Sequence, residues 1–185
     1  MDFPHIIAIC GKKRSGKDTL ADYLVQRYGY TKISFADPLK KVVQIVFGFT
    51  DDEVNGHEKD LVHPDWGFSP RQALQFVGTE LFQYKIQELS PSIERTLWAK
   101  ALIREIQKNE TKKYVISDLR FLHEYKALQE TFADRMLFLR VKRNLNSDDT
   151  HLSENEEGRI PVHFELKNES TVEALHQSFE HYITT

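Results

Sequence analysis

Residues 6–24, IIAICGKKRSGKDTLADYL, constrain this chain more than any other stretch. Ile6, Ile7, Ala8, Ile9 and Cys10 form an unbroken apolar run, the pattern of a strand buried on both faces. Gly11, Lys12, Lys13, Arg14, Ser15, Gly16 and Lys17 then spell G-x-x-x-x-G-K. Leu20, Leu24 and Tyr28 recur at every fourth position, with Ala21 and Val25 beside them, as one apolar helical stripe. Strand, glycine loop and helix in this order predict a phosphate-binding loop over residues 11–19, Thr19 included. Glycines let the loop curl so that backbone N–H groups converge. The helix beginning near Gly16 adds unpaired N–H groups and the positive end of its dipole. Lys17 is then placed to reach the β- and γ-phosphates as a point charge.

Asp18 departs from the motif, which ordinarily carries Ser or Thr here as a ligand for Mg²⁺. A carboxylate suits that hard cation, directly or through its water. It also adds negative charge near phosphate, which Lys17, Arg14 or the metal must offset. The competing account is a first-turn acid that stabilises the helix dipole.

A chain of 185 residues has room for one domain with a proper core. With 40% hydrophobic and 29% charged residues it reads as soluble and globular. A net charge of −3 argues against nucleic acid as the main partner. Cys10 is the sole cysteine, so no disulfide framework or thiolate zinc site is expected, and a reducing, cytoplasmic setting fits. No apolar run approaches membrane-spanning length, so no membrane partner is expected.

Downstream, Lys32–Ala36 reads as a second strand. Asp37-Pro38 then reads as an N-cap and first residue of a helix carrying Leu39, Val42, Val43 and Val46. Residues 48–68 are polar and broken by turn residues, either a substrate-side flap or loose surface. Ser69 and Gln72 have capping-box spacing before a helix whose buried stripe is Leu74, Val77 and Leu81. Arg71, Gln75, Thr79 and Glu80 fall on its other faces, where a solvated face explains them equally well. Ser90-Pro91 opens another helix, with Leu97, Trp98 and Ile106 packing. Tyr114-Val115-Ile116 forms a third strand ending at Ser117-Asp118, a position where phosphate-loop enzymes place an acid that orients metal-bound water. Capping of the following helix explains Asp118 as well. Arg120 sits on the same rim.

Met136–Val141 reads as a fourth strand. Residues 142–159 are polar and bounded by Arg143 and Arg159, a surface loop or a lid closing over phosphates. A fifth strand is expected at Ile160–Leu166, and Ser170 with Glu173 reads as the capping box of a last helix. Five strands separated by helices predict a three-layer α/β fold. Its five-stranded sheet is mostly parallel, with helices on both faces.

GKKRSGKDTLADYL, SFADPLK, SPRQALQFVGTE, the tryptophan of TLWAKAL, VISDLRF and HLSENE together resemble the deoxynucleoside monophosphate kinases of tailed phages and large DNA viruses. The resemblance spans most of the chain. It implies a P-loop NTPase fold of the nucleoside-monophosphate-kinase type, as one domain with an acceptor insert near 48–110 and a lid near 142–160. It further implies γ-phosphoryl transfer from ATP, with Mg²⁺, to a deoxynucleoside monophosphate. Carried over by position, Gly11 to Thr19 hold the donor phosphates. Asp37, Lys40, Arg71, Gln75, Thr79, Glu80, Trp98 and Arg120 face the acceptor. Arg143, His151 and Glu154 belong to the lid. Arg14, Lys17, Asp18, Asp118, Arg120 and Arg143 form the catalytic set, with Asp18 and Asp118 on the metal side. A homodimer is also implied, although no isolated apolar stripe supplies its interface. Animal phosphomevalonate kinase is similar in its GKD loop, PLK segment and SD-x-R strand end, but QFVGTE favours a nucleotide acceptor. A GTPase-like switch is disfavoured. Asn-Lys-x-Asp is absent, and Asp118-Leu119-Arg120-Phe121 lacks the glycine of Asp-x-x-Gly. A non-catalytic nucleotide-binding module remains the alternative from another class.

Overall fold

The computed structural model describes residues 3–143 and 157–184. In chain order its elements are β1 (Ile6–Cys10), α1 (Lys17–Tyr28), β2 (Thr31–Ile33), α2 (Ala36–Phe47), α3 (Asp51–Asn55), α4 (Pro70–Gln75), α5 (Ile86–Leu89), α6 (Leu97–Gln107), β3 (Tyr114–Leu119), α7 (Leu122–Phe132), β4 (Met136–Lys142), β5 (Phe164–Lys167) and α8 (Val172–Thr184). A π-helix, Phe76–Lys85, joins α4 to α5. Two compact units divide the chain, residues 1–34 with 103–185 and residues 35–102.

In the first unit the strands lie in the order β2-β3-β1-β4-β5, every pairing parallel. β1 is paired on both edges, and all five of its residues are buried, as its unbroken apolar run requires. Ile7 and Ile9 face a core built with Leu20 and Leu24 of α1 and Leu175 and Phe179 of α8. The two-residue period of a strand sends Phe138 to the other face. There Tyr125 of α7 meets its ring edge-on, 4.7 Å between centroids. Helices on both faces of a parallel sheet make this an α/β fold.

The fifth strand starts later than the sequence suggests. Ile160 closes a turn on the Glu157 carbonyl (3.2 Å), and Pro161 has no N–H to give a ladder. Pairing begins at Phe164, opposite Leu139. Two helix starts also shift. α2 begins at Ala36, so Asp37 is a first-turn acid rather than the N-cap. The hydroxyl capping α8 belongs to Thr171, which accepts from the Ala174 N–H (3.2 Å), rather than to Ser170.

Arg140, opposite Cys10 in the β1–β4 register, is an ionic plug in an otherwise apolar strand. Its Nε donates to Glu157 Oε1 (2.7 Å), its Nη2 to the carbonyls of Glu157 and Ile160 (2.8 Å each), and its Nη1 to Glu165 Oε1 (2.8 Å). The Cys10 thiol beside it is pushed up to about 12, first by burial and then by the Glu157 charge. Cys10 is therefore an inert core residue at neutral pH.

The second unit has its own core of Val43, Phe49, Val54, Ala73, Leu74 and Val77. Residues 48–68 are ordered by aromatic packing and local caps. Thr50 and Glu53 form a capping box on α3. Phe49, Trp66 and Phe68 each lie 5.4 Å from the Phe47 ring. Trp66 Nε1 donates to the Phe47 carbonyl (3.0 Å). Ser69 and Gln72 make the expected capping box on α4. The π-helix turns Leu81 outward, 38% exposed, because each π turn holds one residue more than an α turn. Gly78 lies so close to Leu39 that a Cβ there would come within 2.6 Å of it.

Candidate functional site

Because the sheet of the first unit is wholly parallel, its strands deliver their following residues to one edge, where ligands of such sheets bind. Gly11 follows β1, Arg120 follows β3, Arg143 follows β4 and Asn168 follows β5. The loop between β1 and α1 holds Gly11 (φ 141°), Arg14 (φ 63°) and Gly16 (φ 108°) in left-handed or related backbone, which turns successive N–H groups toward one concavity. Gly11 has no room for a side chain, since a Cβ would stand 2.3 Å from the Val141 carbonyl oxygen.

Lys17 is 9% exposed. Its Nζ donates to the carbonyls of Gly11 (2.6 Å) and Lys12 (2.7 Å), so it bridges the loop entrance. An ammonium has three donors, and one is left over from these two bonds. Burial, and then the positive charge of Arg120, hold Lys17 below the ordinary lysine value. Two cations thus stand close enough to repel, an arrangement that an anion between them relieves. Ser15 Oγ is buried with no hydrogen-bond partner among the described residues, which costs about 1–3 kcal/mol while it lasts.

A cavity of about 250 Å³ opens over this loop, its lining including Arg14, Lys17, Asp18, Thr19, Arg143 and Asn168, together with Ser170 and Val172. Asn168 Nδ2 donates to the Ser15 carbonyl (2.8 Å), tying the end of β5 to the loop. The sequence assigns no ligand-facing role to Asn168, Ser170 or Val172. The only signal was their place just past a strand's carboxyl end. His151 and Glu154 lie outside the described residues.

Asp18 projects from the first turn of α1, its side chain 76% exposed. Its Oδ1 accepts from Ser117 Oγ (3.0 Å) and from Lys32 Nζ (2.9 Å). Partial burial pushes its carboxyl up, but the Lys32 bond and charge and the Ser117 hydroxyl outweigh that and leave it below the usual aspartate value. Asp18 is therefore ionised at neutral pH, and Oδ2 is the oxygen left for a hard cation. Among the described residues no group of three or more His, Cys, Asp and Glu is gathered to hold a metal unaided. One carboxylate beside a phosphate loop fits the small protein share that Mg²⁺ takes alongside nucleotide oxygens.

Asp118 and Arg120 flank the end of β3, and Glu124 lies beneath them. Glu124 Oε2 accepts the backbone N–H groups of Arg120 (2.9 Å) and Phe121 (3.0 Å), fixing the backbone that carries Arg120. Burial, opposed by these bonds and aided by the Asp118 charge, pushes Glu124 up to about 8 from 4.5. The folded chain then keeps a proton that the unfolded chain releases between those two values. Stability from this group is full below about pH 4.5 and falls as pH rises toward 8. Glu124→Gln, which keeps the acceptor and removes the titration, is expected to flatten thermal stability across pH 5–8. A wild-type curve that is flat, or that rises with pH over this window, would contradict the assignment.

In the second unit Asp37 and Lys40 stand in the first two turns of α2. Arg71 is engaged by Asp60 through Nε and Nη2, the latter at 3.0 Å. Its partner is thus an acid of the 48–68 segment. Gln75 and Glu80 are exposed and Thr79 half-buried. Trp98 packs, as its place on the helix predicts. It is 8% exposed, stacks edge-on with Phe82 (5.4 Å) and donates Nε1 to the Gly78 carbonyl (2.9 Å). It props the π-helix, where the backbone most needs a partner.

Four likenesses bear on this chain. A family model described as deoxynucleotide monophosphate kinase matches residues 5–67. A dephospho-CoA kinase from Campylobacter jejuni shares 14% identity over 97% of this chain and 96% of its own, with a TM-score of 0.50. A solved Thermus thermophilus protein shares 19% over 99% and 98%, again at 0.50. At such identities these two share the fold alone. A deoxynucleotide monophosphate kinase candidate of Acanthamoeba polyphaga mimivirus is 34% identical over 183 residues, 92% of each chain. With likeness of that depth across nearly its whole length, on a phosphate-loop kinase fold, this chain belongs to the deoxynucleotide monophosphate kinase family.

Proposed function

We propose that this chain transfers the γ-phosphoryl group of ATP to a deoxynucleoside 5′-monophosphate, giving the diphosphate for dNTP synthesis. The observation that supports it most is the cation set on one rim of the sheet: Lys17 buried in its loop, Arg120 close enough to depress it, and Arg14 and Arg143 lining the same cavity. Phosphoryl transfer needs little covalent help from a protein, and placed positive charge supplies most of the catalysis. The loop N–H groups and Lys17 hold the donor phosphates. Arg120 grips the transferring or accepting phosphate through a planar fork. Asp18 and Asp118 take the metal side, where Mg²⁺ bound with ATP would neutralise charge on its phosphates. Arg71 serves the acceptor phosphate, which must then displace Asp60 from its guanidinium.

Incubation with ATP, Mg²⁺ and each deoxynucleoside monophosphate in turn tests this. Diphosphate is expected with at least one of them, with little ATP consumed when none is present. Phosphomevalonate serves as the control acceptor. ATP loss without any diphosphate, or phosphomevalonate taken in preference, would overturn the reading. In the same assay Arg71→Lys and Arg120→Lys should raise the acceptor KM and leave the ATP KM unchanged.

A further inference from the structure

A carboxylate at position 18 is an electrostatic problem. The phosphate-loop motif places a neutral hydroxyl beside the triphosphate, and this chain places a charge that repels it. Two neighbouring strands answer that charge. Lys32, the middle residue of β2, brings its ammonium to 2.9 Å from Asp18 Oδ1. Ser117 of β3, beside Ile116, which pairs with Ile33, donates its hydroxyl to the same oxygen at 3.0 Å. Both partners take one oxygen, so the carboxylate is oriented as well as compensated. Lys32 also reaches Asp22 Oδ1, one turn further along α1, at 2.9 Å. A lysine serving only Asp22 would be an ordinary exposed pair of little consequence.

We propose that Lys32 is a positioning residue for the donor nucleotide: its ammonium compensates Asp18, so that a carboxylate can stand where the motif otherwise needs a neutral hydroxyl. The inference rests on the donor-site reading above. Lys32 touches no substrate and acts through Asp18. Without it, Asp18 and Asp22 remain as two like charges one turn apart on α1, the nearer facing the phosphates. The repulsion is felt most when no divalent cation accompanies the nucleotide, because the metal itself offsets negative charge.

ATP affinity measured by titration calorimetry, in Mg²⁺ and separately in EDTA, tests this without relying on turnover. Lys32→Met should weaken ATP binding about tenfold, a modest factor because Asp18 is largely exposed and screened, and the loss should be larger in EDTA. Lys32→Arg should bind close to wild type. Asp22→Asn should bind within about twofold of wild type, since Asp22 is not the carboxylate that meets phosphate. The decisive variant is Lys32→Met/Asp18→Ser, which removes both charges and should recover most of the lost affinity. Recovery also excludes a purely structural role, since a damaged β2 would not be repaired by a change in α1. If Lys32→Met binds ATP as wild type does, or if Asp18→Ser recovers nothing in that background, the inference is overturned while the donor site stands. A wild-type chain that binds no ATP would overturn the donor site and the inference together.

Discussion

Lys17→Ala is expected to lower phosphoryl transfer by at least about 10²-fold, the scale of removing one placed donor from a developing charge. Among the described residues nothing else lining the cavity is built to replace it. Arg14 and Arg143 are exposed, whereas Lys17 is buried, with two of its donors fixed on loop carbonyls. Those bonds give Lys17 a structural share that the motif alone does not suggest. Its loss should lower stability by about 1–2 kcal/mol, partly offset by removing a buried ammonium. Thermal unfolding should therefore move by only a few degrees while turnover collapses. Steady-state kinetics beside a melting curve separates the two. A variant that keeps near-wild-type turnover would remove this loop from the chemistry.

The largest stability effect is expected at Arg140. Arg140→Met strands the Glu157 side chain, 8% exposed in the ion pair, removes the donor to the Ile160 carbonyl and leaves the Glu157 carbonyl only the Ile160 N–H. Breaking a buried pair from one side costs about 3–5 kcal/mol, because the surviving charge has nowhere to go. For a chain of this size that lowers the melting temperature on the order of 10 °C. Replacing both partners, as Arg140→Met/Glu157→Leu, removes the stranded charge and should recover much of the loss. Urea or thermal unfolding of the two variants decides it. A single variant as stable as the wild type would mean that solvent reaches the pair.

The glycine loop, β1 and α1 were legible because each depends on local rules: backbone that only glycine tolerates, an unbroken apolar run, a stripe at helical spacing. The parallel sheet followed from the alternation of strands and helices. What was not legible depends on partners distant in sequence. Arg140 falls inside the expected fourth strand, Met136–Val141, with nothing local to show that it is the buried anchor, because Glu157 and Glu165 arrive from other segments. Lys32 looked like a polar strand residue, and Asp18 and Asp22 give it a role. Leu81 was misplaced because an α-helical period was read through a π-helix. Residues 48–68 read as loose because their order comes from aromatic rings meeting across turns, which no periodicity records. The N-cap expected at Asp37 missed by two residues and that at Ser170 by one, at helix starts where assignment is least sharp.

The bond from Asn168 to the Ser15 carbonyl bears on how the protein is made. The motif GKKRSGKD leaves the ribosome well before residue 168, which braces the loop it forms, and before Leu175 and Phe179 of α8, on which α1 packs. The nascent chain must therefore carry its nucleotide signature until residues 168–179 have followed it, before the structure that holds it exists. β4 and β5, which flank β1 on the side nearest Asn168, are also the last strands to emerge. A chain halted before residue 168 has the right letters and no braced pocket, so a nucleotide has no finished site to occupy until that residue has been made.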